Sequence, residues 1–376
     1  MANESTFLFT LMHREIFLTT GKLALKLVEK KGSVQFKSSV ICFVYDRILW
    51  ATEPLQSLVE AHLLGNKAGQ QSGDIVFAFK NQALAILIDY FAGQNLDTVR
   101  SNIMNFLSKL EIHGLQMFSK NPALLLSQVM VLKDGLHMAD VAHAYNVPSE
   151  KEILADVRSG PAVFAQGKLN HLTRAFLFRQ MNDVSCHFNK FQADSESLNQ
   201  LNPNFLFGYF FEGLASFQLA RGECESESAK WIDKGQSVLT QIECRSEHSL
   251  WNWENKVMLL EAESLFTNGD FDRAGPLYDS AIRSAREHKF IHEEAIASEL
   301  AGNFYYARGF REQSYSYLLH SINRYRTWGA HAVAKRVEAH VGEYFETDQL
   351  DFKAVTSLDF LFELSQGSEE KREGGH

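Results

Sequence analysis

Four cysteines, fourteen histidines and forty-six acidic side chains are present in this 376-residue chain. Chemistry depends on how such groups are spaced. A zinc-protease helix needs two histidines four residues apart, with a glutamate after the first. The run His292-Glu293-Glu294-Ala295-Ile296 starts that way, but Ile296 stands where the second ligand belongs. Cys186 and His187 are adjacent, and on a helix they point about 100° apart. Glu223, Glu225 and Glu227 alternate around Cys224. They read as a cation site or, more simply, as an acidic helix start favoured by the helix dipole. No metal site is expected.

A phosphate-binding loop would need its two glycines five residues apart, then Lys and a hydroxyl. The nearest stretch runs from Gly160 to Leu169. Its glycines are too far apart, and Leu169 replaces the hydroxyl, so helix cap and turn is the simpler reading. Hydrolase elbows, kinase catalytic-loop motifs and a cysteine with a His/Asn framework are all missing from the sequence. The expectation is a chain without catalytic residues and without a cofactor.

The remaining chemistry is recognition. Aromatic side chains crowd residues 251–328, including Trp251, Trp253, Phe304, Tyr305, Tyr317 and Trp328. Most are expected between helices. Polar neighbours such as Asn303, Arg308, Arg311, Gln313 and Arg324 are the candidate peptide-groove residues, able to clamp backbone or carboxylate groups.

What must position these groups is helical. Only 6 prolines occur, and hydrophobic residues make up 45% against 22% charged, which fits long helices in a folded protein. Ile16, Leu23, Ala24 and Leu27 fall on one helical face, as do Ile103, Phe106, Leu107 and Leu110. Breaks are expected at Gly73-Asp74, Gly93-Gln94, Asn121-Pro122, Gly160-Pro161 and Asn202-Pro203. Val40–Val44 is the best strand candidate, yet it continues into an apolar helical pattern.

The net charge is −9, with no dense basic stripe, so nucleic acid is not an expected partner. The first residues lack a signal-peptide pattern, and no apolar run reaches about 18 residues. A cytoplasmic location with no membrane partner is expected. The cysteines are expected to be reduced, and a Cys224–Cys244 bridge stays open as an alternative.

Internal repetition is the decisive feature. Residues 260–281 and 300–321 superpose without a gap at a shift of 40. Ala262 falls on Gly302, Leu265 on Tyr305, Gly269 on Gly309, Ala274 on Ser314, Tyr278 on Leu318 and Ala281 on Ser321. Small side chains suit the closest contact of two antiparallel helices, and large ones fill the groove beside it. Gly269 and Gly309 suit a left-handed helix end. Weaker echoes occur at 213–222, with Trp231 following, and at 85–110.

This pattern resembles the tetratricopeptide repeat (TPR), in which small, large, small, aromatic and small residues recur at positions matched by Ala262, Leu265, Ala274, Tyr278 and Ala281. The family's terminal proline is replaced by Arg286, its tryptophan by Met258, and the period is 40 instead of 34. The order of blocks at 21–29, 72–91 and 293–309, then Tyr317, Tyr325 and Trp328-Gly329-Ala330, resembles the helical array of large hybrid signalling proteins. Those chains join a Ser/Thr-kinase-like domain, a STAND-type ATPase, this array, a GAF domain and a histidine kinase. The resemblance implies a scaffold role and carries no catalysis over.

The chain is therefore expected to be all-α, a right-handed α-solenoid of stacked antiparallel helix pairs. Residues 1–200 form a divergent helical-repeat region, 201–345 the TPR-like repeats, 346–364 a C-terminal helical segment and 365–376 a disordered tail. The N-terminal helix around residues 15–29 reads as cut into a repeat and is expected to expose apolar surface. The expected function is a non-catalytic scaffold for protein–protein or interdomain contact in signal transduction. Its partner is a protein, a peptide or the neighbouring domains of a larger signalling chain. One alternative is a regulatory relay within a kinase, ATPase and histidine-kinase protein. A second is an enzyme on an all-α fold.

Overall fold

The computed structural model describes residues 14–345, apart from 31–33, 137, 157, 183–202, 223–224 and 247–248. The expectations for 346–364, for the tail, for Cys186-His187 and for a Cys224–Cys244 bridge lie outside the described residues. Those residues contain sixteen α-helices and no strand. In chain order they are α1 (Arg14–Val28), α2 (Val34–Arg47), α3 (Leu55–Ser72), α4 (Ile75–Phe91), α5 (Leu96–Ile112), α6 (Lys120–Asp134), α7 (Met138–Tyr145) and α8 (Glu150–Ala155). Then follow α9 (Pro161–Leu177), α10 (Pro203–Gly222), α11 (Glu225–Ser246), α12 (Leu250–Thr267), α13 (Phe271–Glu287), α14 (Ile291–Ala307), α15 (Arg311–Trp328) and α16 (His331–Phe345). Short 3₁₀ turns at Leu49–Ala51 and Gln116–Phe118 join two of the connections.

Local chemistry explains where helices stop. Gly73 is left-handed and closes α3, after which Asp74 accepts a hydrogen bond from the Phe77 amide and starts α4. Asn95 caps α5 through the Asp97 amide at 2.9 Å. Ser149 and Glu152 form a reciprocal capping box at α8. The Asn121-Pro122 break falls inside the first turn of α6, where proline is tolerated because its missing N–H has no intrahelical partner. The Val40–Val44 stretch lies within α2.

The two 22-residue stretches related by the shift of 40 take the same shape. α12 ends at Thr267 and α13 begins at Phe271; α14 ends at Ala307 and α15 begins at Arg311. Gly269 and Gly309 sit at φ +81° and +80°, a region where a Cβ is costly. Ala262, Ala274, Tyr278, Ala281, Ser314, Leu318 and Ser321 are buried, while Leu265 and Tyr305 are half-buried. Gly302 lies so close to α15 that a Cβ there would come within 2.7 Å of Leu318 Cγ.

Sequential helices pack against each other throughout: α1 on α2, α2 on α3, α3 on α4, α10 on α11, α12 on α13 and α14 on α15. Contacts also run between distant parts of the chain. α6 packs on α16 as well as on α5 and α9. Asn252 Oδ1 accepts from the Leu55 amide at 3.1 Å, and its Nδ2 donates to the Glu53 carbonyl at 2.8 Å. Gln56 Nε2 donates to the His288 carbonyl at 3.1 Å and Asn95 Nδ2 to the Thr327 carbonyl at 2.9 Å. One apolar core accordingly extends from Trp50 to Val337. Phe91 of α4 stacks on Phe207 of α10 at 4.2 Å between centroids within it.

Candidate functional site

α14 is the hub of the C-terminal half. Residues 292–302 are all buried, and three of them are glutamates. A carboxylate in a dry interior is costly unless paired and hydrogen-bonded. Each of the three is therefore clasped by cations from other elements.

Glu299 receives Arg179 Nε at 3.0 Å and Arg336 Nη2 at 2.8 Å, and the Tyr325 hydroxyl donates to it at 3.1 Å. Burial alone would raise its pKa, but Arg179 and Arg336 outweigh that and hold it well below the usual carboxylate range. Arg179 also donates to Gln218 of α10 at 2.9 Å. Its own backbone is left-handed at φ +58° just after α9, so the clasp joins the α9 end, α10, α14, α15 and α16.

Glu293 accepts from Lys256 Nζ at 2.7 Å and from Asn255. Lys256 is fully buried among the rings of Phe207, Phe210, Trp253 and Phe290, with the last centroid 4.4 Å away. Burial lowers its pKa, and Glu293 opposes that. His292 beside it is pressed against Gly93 and Trp328; burial lowers its pKa to about 4. Glu294 accepts from Arg286 Nε at 2.9 Å and pairs with His320 Nε2 at 2.8 Å. The same device recurs at Glu263 of α12, which takes Arg221 and the Tyr278 hydroxyl, each at 2.6 Å. Every one of these carboxylates is held by a cation, which makes the set a group of structural locks. Among the described residues no group of three or more His, Cys, Asp or Glu could hold a metal ion.

The candidate groove residues do not form one site. Arg308 lies over the Phe271 ring and Arg311 over the Tyr306 ring, with Gln313 exposed nearby, all at the tip of the α14–α15 hairpin. Asn303 is half-buried one turn before the tip. Arg324 stands 13 residues beyond Arg311, about 20 Å along the helix, and approaches Glu294 at 3.9 Å. Arg179 and Arg336 of the chain itself meet the middle of α14 at Glu299, and Gly93 lies against its start at Ile291 and His292.

A different surface is open. The inner side of α1 packs on α2: a Cβ on Gly21 would lie 3.2 Å from Val44 Cγ1 and Ile48 Cδ1, and Val28 is buried. The outer side carries Ile16, Leu23 and Leu27, which are 62%, 53% and 47% exposed. Phe17, Val34, Phe36 and Phe43 on α1 and α2 are exposed as well, as are Leu63 and Leu64 on α3. Exposed large apolar residues thus occur on three consecutive helices, and exposed apolar surface of this kind marks a contact site. The α1 stripe is legible in the sequence as the Ile16, Leu23, Leu27 spacing. No motif or spacing in the sequence marks Arg179, Glu299 and Arg336 as a group. Their one sequence signal is that 291–304 carries glutamates with no polar face to hold them.

No described helix is long and apolar enough to cross a membrane. No protein-family model matches the chain, and no curated protein matches it either.

Proposed function

We propose that this chain is a non-catalytic helical-repeat scaffold that docks a protein partner through the outer apolar face of α1–α3. In this reading the hairpins from α10 to α16 stack as a right-handed TPR-like superhelix, and the partner is a segment of another protein or a neighbouring domain of a larger signalling chain. The observation that carries the reading is the Ile16, Leu23, Leu27 stripe. A helix with two apolar sides, one packed and one open, is built to be sandwiched. The tip residues Arg308, Arg311 and Gln313 are a second, polar contact point, since Arg on an aromatic face presents its donors to carboxylates.

The test is quantitative affinity capture with the wild-type chain, a Leu23→Glu/Leu27→Glu variant and an Arg308→Ala/Arg311→Ala variant, after circular dichroism has shown equal helix content. A partner enriched by the wild type and lost by the α1 variant supports the reading. If the wild type and the α1 variant capture the same proteins to the same extent, docking through α1 is wrong.

A further inference from the structure

The outer face of α1 has a charged border as well as an apolar stripe. Lys22 and Lys26 are exposed and stand one residue before Leu23 and Leu27. A row of cations therefore runs beside the apolar row, about 100° around the helix. Residues 14–47, which hold α1 and α2, carry seven basic and three acidic side chains in a chain whose net charge is −9. An occupant complementary to this face is acidic and apolar at once.

The chain itself contains such a segment. Beyond Phe345, where α16 ends, residues 346–376 carry eight acidic and three basic side chains. Their apolar residues gather in Leu358-Asp359-Phe360-Leu361-Phe362-Glu363-Leu364. Leu358, Leu361 and Phe362 have the spacing of one helical face, and Asp359 and Glu363 each follow an apolar residue of that face. In α1 the charge precedes the apolar residue; here it follows. Two helices packed parallel through their apolar rows then bring the two charged rows to the same side. Residues 1–13, next to α1, hold Phe7, Leu8, Phe9, Leu11 and Met12 but only Glu4 as a carboxylate, so they leave the lysine row unmatched.

The segment is within reach. α16 packs on α6, α6 on α4, α4 on α2 and α2 on α1. Packed helix axes lie about 8–10 Å apart, so these four steps cross at most about 40 Å. Residues 346–357 extend to about 40 Å. A short tether holds its ends at an effective concentration of about a millimolar, so a contact with a Kd of about a millimolar is roughly half occupied within one chain.

We propose that residues 358–364 dock in cis on the outer face of α1 and parallel to it, with Leu358, Leu361 and Phe362 on Leu23 and Leu27 and with Asp359 and Glu363 beside Lys22 and Lys26. This rests on reading that face as a docking surface and adds its regulation: a protein partner must displace the chain's own segment.

Zero-length carbodiimide cross-linking of the full chain, with mass spectrometry of the monomer, tests this. Amide links from Lys22 or Lys26 to Asp359 or Glu363 are expected. Leu361→Asp/Phe362→Asp should lower their yield about tenfold, and so should Leu23→Glu/Leu27→Glu. Exchanging the charges, Lys22→Glu/Lys26→Glu together with Asp359→Lys/Glu363→Lys, should restore links between the same positions. Absence of these links in the wild type, or an undiminished yield in both apolar variants, would overturn the proposal. Links only between labelled and unlabelled chains would seat a second copy on the face, and links to Glu4 instead would seat residues 1–13; either overturns it. Partner capture should rise about twofold in Leu361→Asp/Phe362→Asp, and equal capture would overturn the regulation. If the links are absent while Leu23→Glu/Leu27→Glu still loses the partner, the cis contact alone fails. If the links form while that variant captures as the wild type does, the cis contact stands and the scaffold reading fails.

Discussion

α1 and α14 are helices of similar length, 15 and 17 residues, and they end in opposite environments. α1 has no acidic residue after its first turn in the described range and leaves Ile16, Leu23 and Leu27 in solvent. α14 holds Glu293, Glu294 and Glu299 in the dry centre of the protein. General preference would keep large apolar side chains out of solvent and carboxylates out of the core. Position among neighbours reverses that. Among the described residues α1 packs chiefly on α2, so one of its apolar sides stays open. A central helix is surrounded, so its charges survive only where other helices bring cations to them. The open end is suited to association, and the clasped centre to holding distant parts of the chain in one register.

The strongest way to break this contrast is to remove a central carboxylate. Glu299→Ala would leave Arg179 and Arg336 facing each other without their counter-ion. The expected loss is about 3–5 kcal/mol, read as a lowered urea midpoint with an unchanged slope. A loss under about 1 kcal/mol would show that the clasp is not a lock.

Acid titration sharpens it next. Burial lowers His292 to about 4, so its neutral form contributes stability that is complete above about pH 6.5 and is lost as pH falls through 4. Burial raises Asp279 to about 6, with the Tyr317 hydroxyl donating to it. Its contribution has the opposite sign: complete below about pH 3.8 and lost as pH rises through 6. The two oppose each other between about pH 4 and 6. Asp279→Asn should remove one side, so the variant loses stability on acidification by about 3 kcal/mol more than the wild type does. Thermal melts across pH 4 to 7 read this directly, and parallel curves for the two proteins would contradict it.

Smaller effects test the packing. Gly302→Ala puts a methyl group against fully buried Leu318 and should cost about 1–3 kcal/mol by overpacking, measured by denaturant unfolding. At the open end, Leu23→Lys with Leu27→Lys should change stability by under about 0.5 kcal/mol. The same pair should raise solubility and remove binding of a hydrophobic dye. A large stability loss there would mean that α1 is packed on its outer side as well.

Much of this was readable beforehand. The helix breaks at Gly73-Asp74, Gly93-Gln94 and Gly160-Pro161 follow from local backbone preference, which needs no distant partner. The register of 40 between Ala262 and Gly302 was visible because repeated packing demands repeated side-chain sizes. The site was harder. Asn303, Arg308, Arg311, Gln313 and Arg324 share a polar character in the sequence, yet the helix axis spreads them over two ends of one hairpin.

The sequence by itself determined the helical class, the helix ends and the 40-residue unit, because hydrogen bonds between residues i and i−4 and turn preferences act over a few residues. Only the tertiary structure decided which side of α1 stays open and that Arg179 reaches Glu299 across 120 positions. Those outcomes depend on which helices become neighbours, and the free energy that selects neighbours is summed over one core running from Trp50 to Val337, beyond the reach of any single segment.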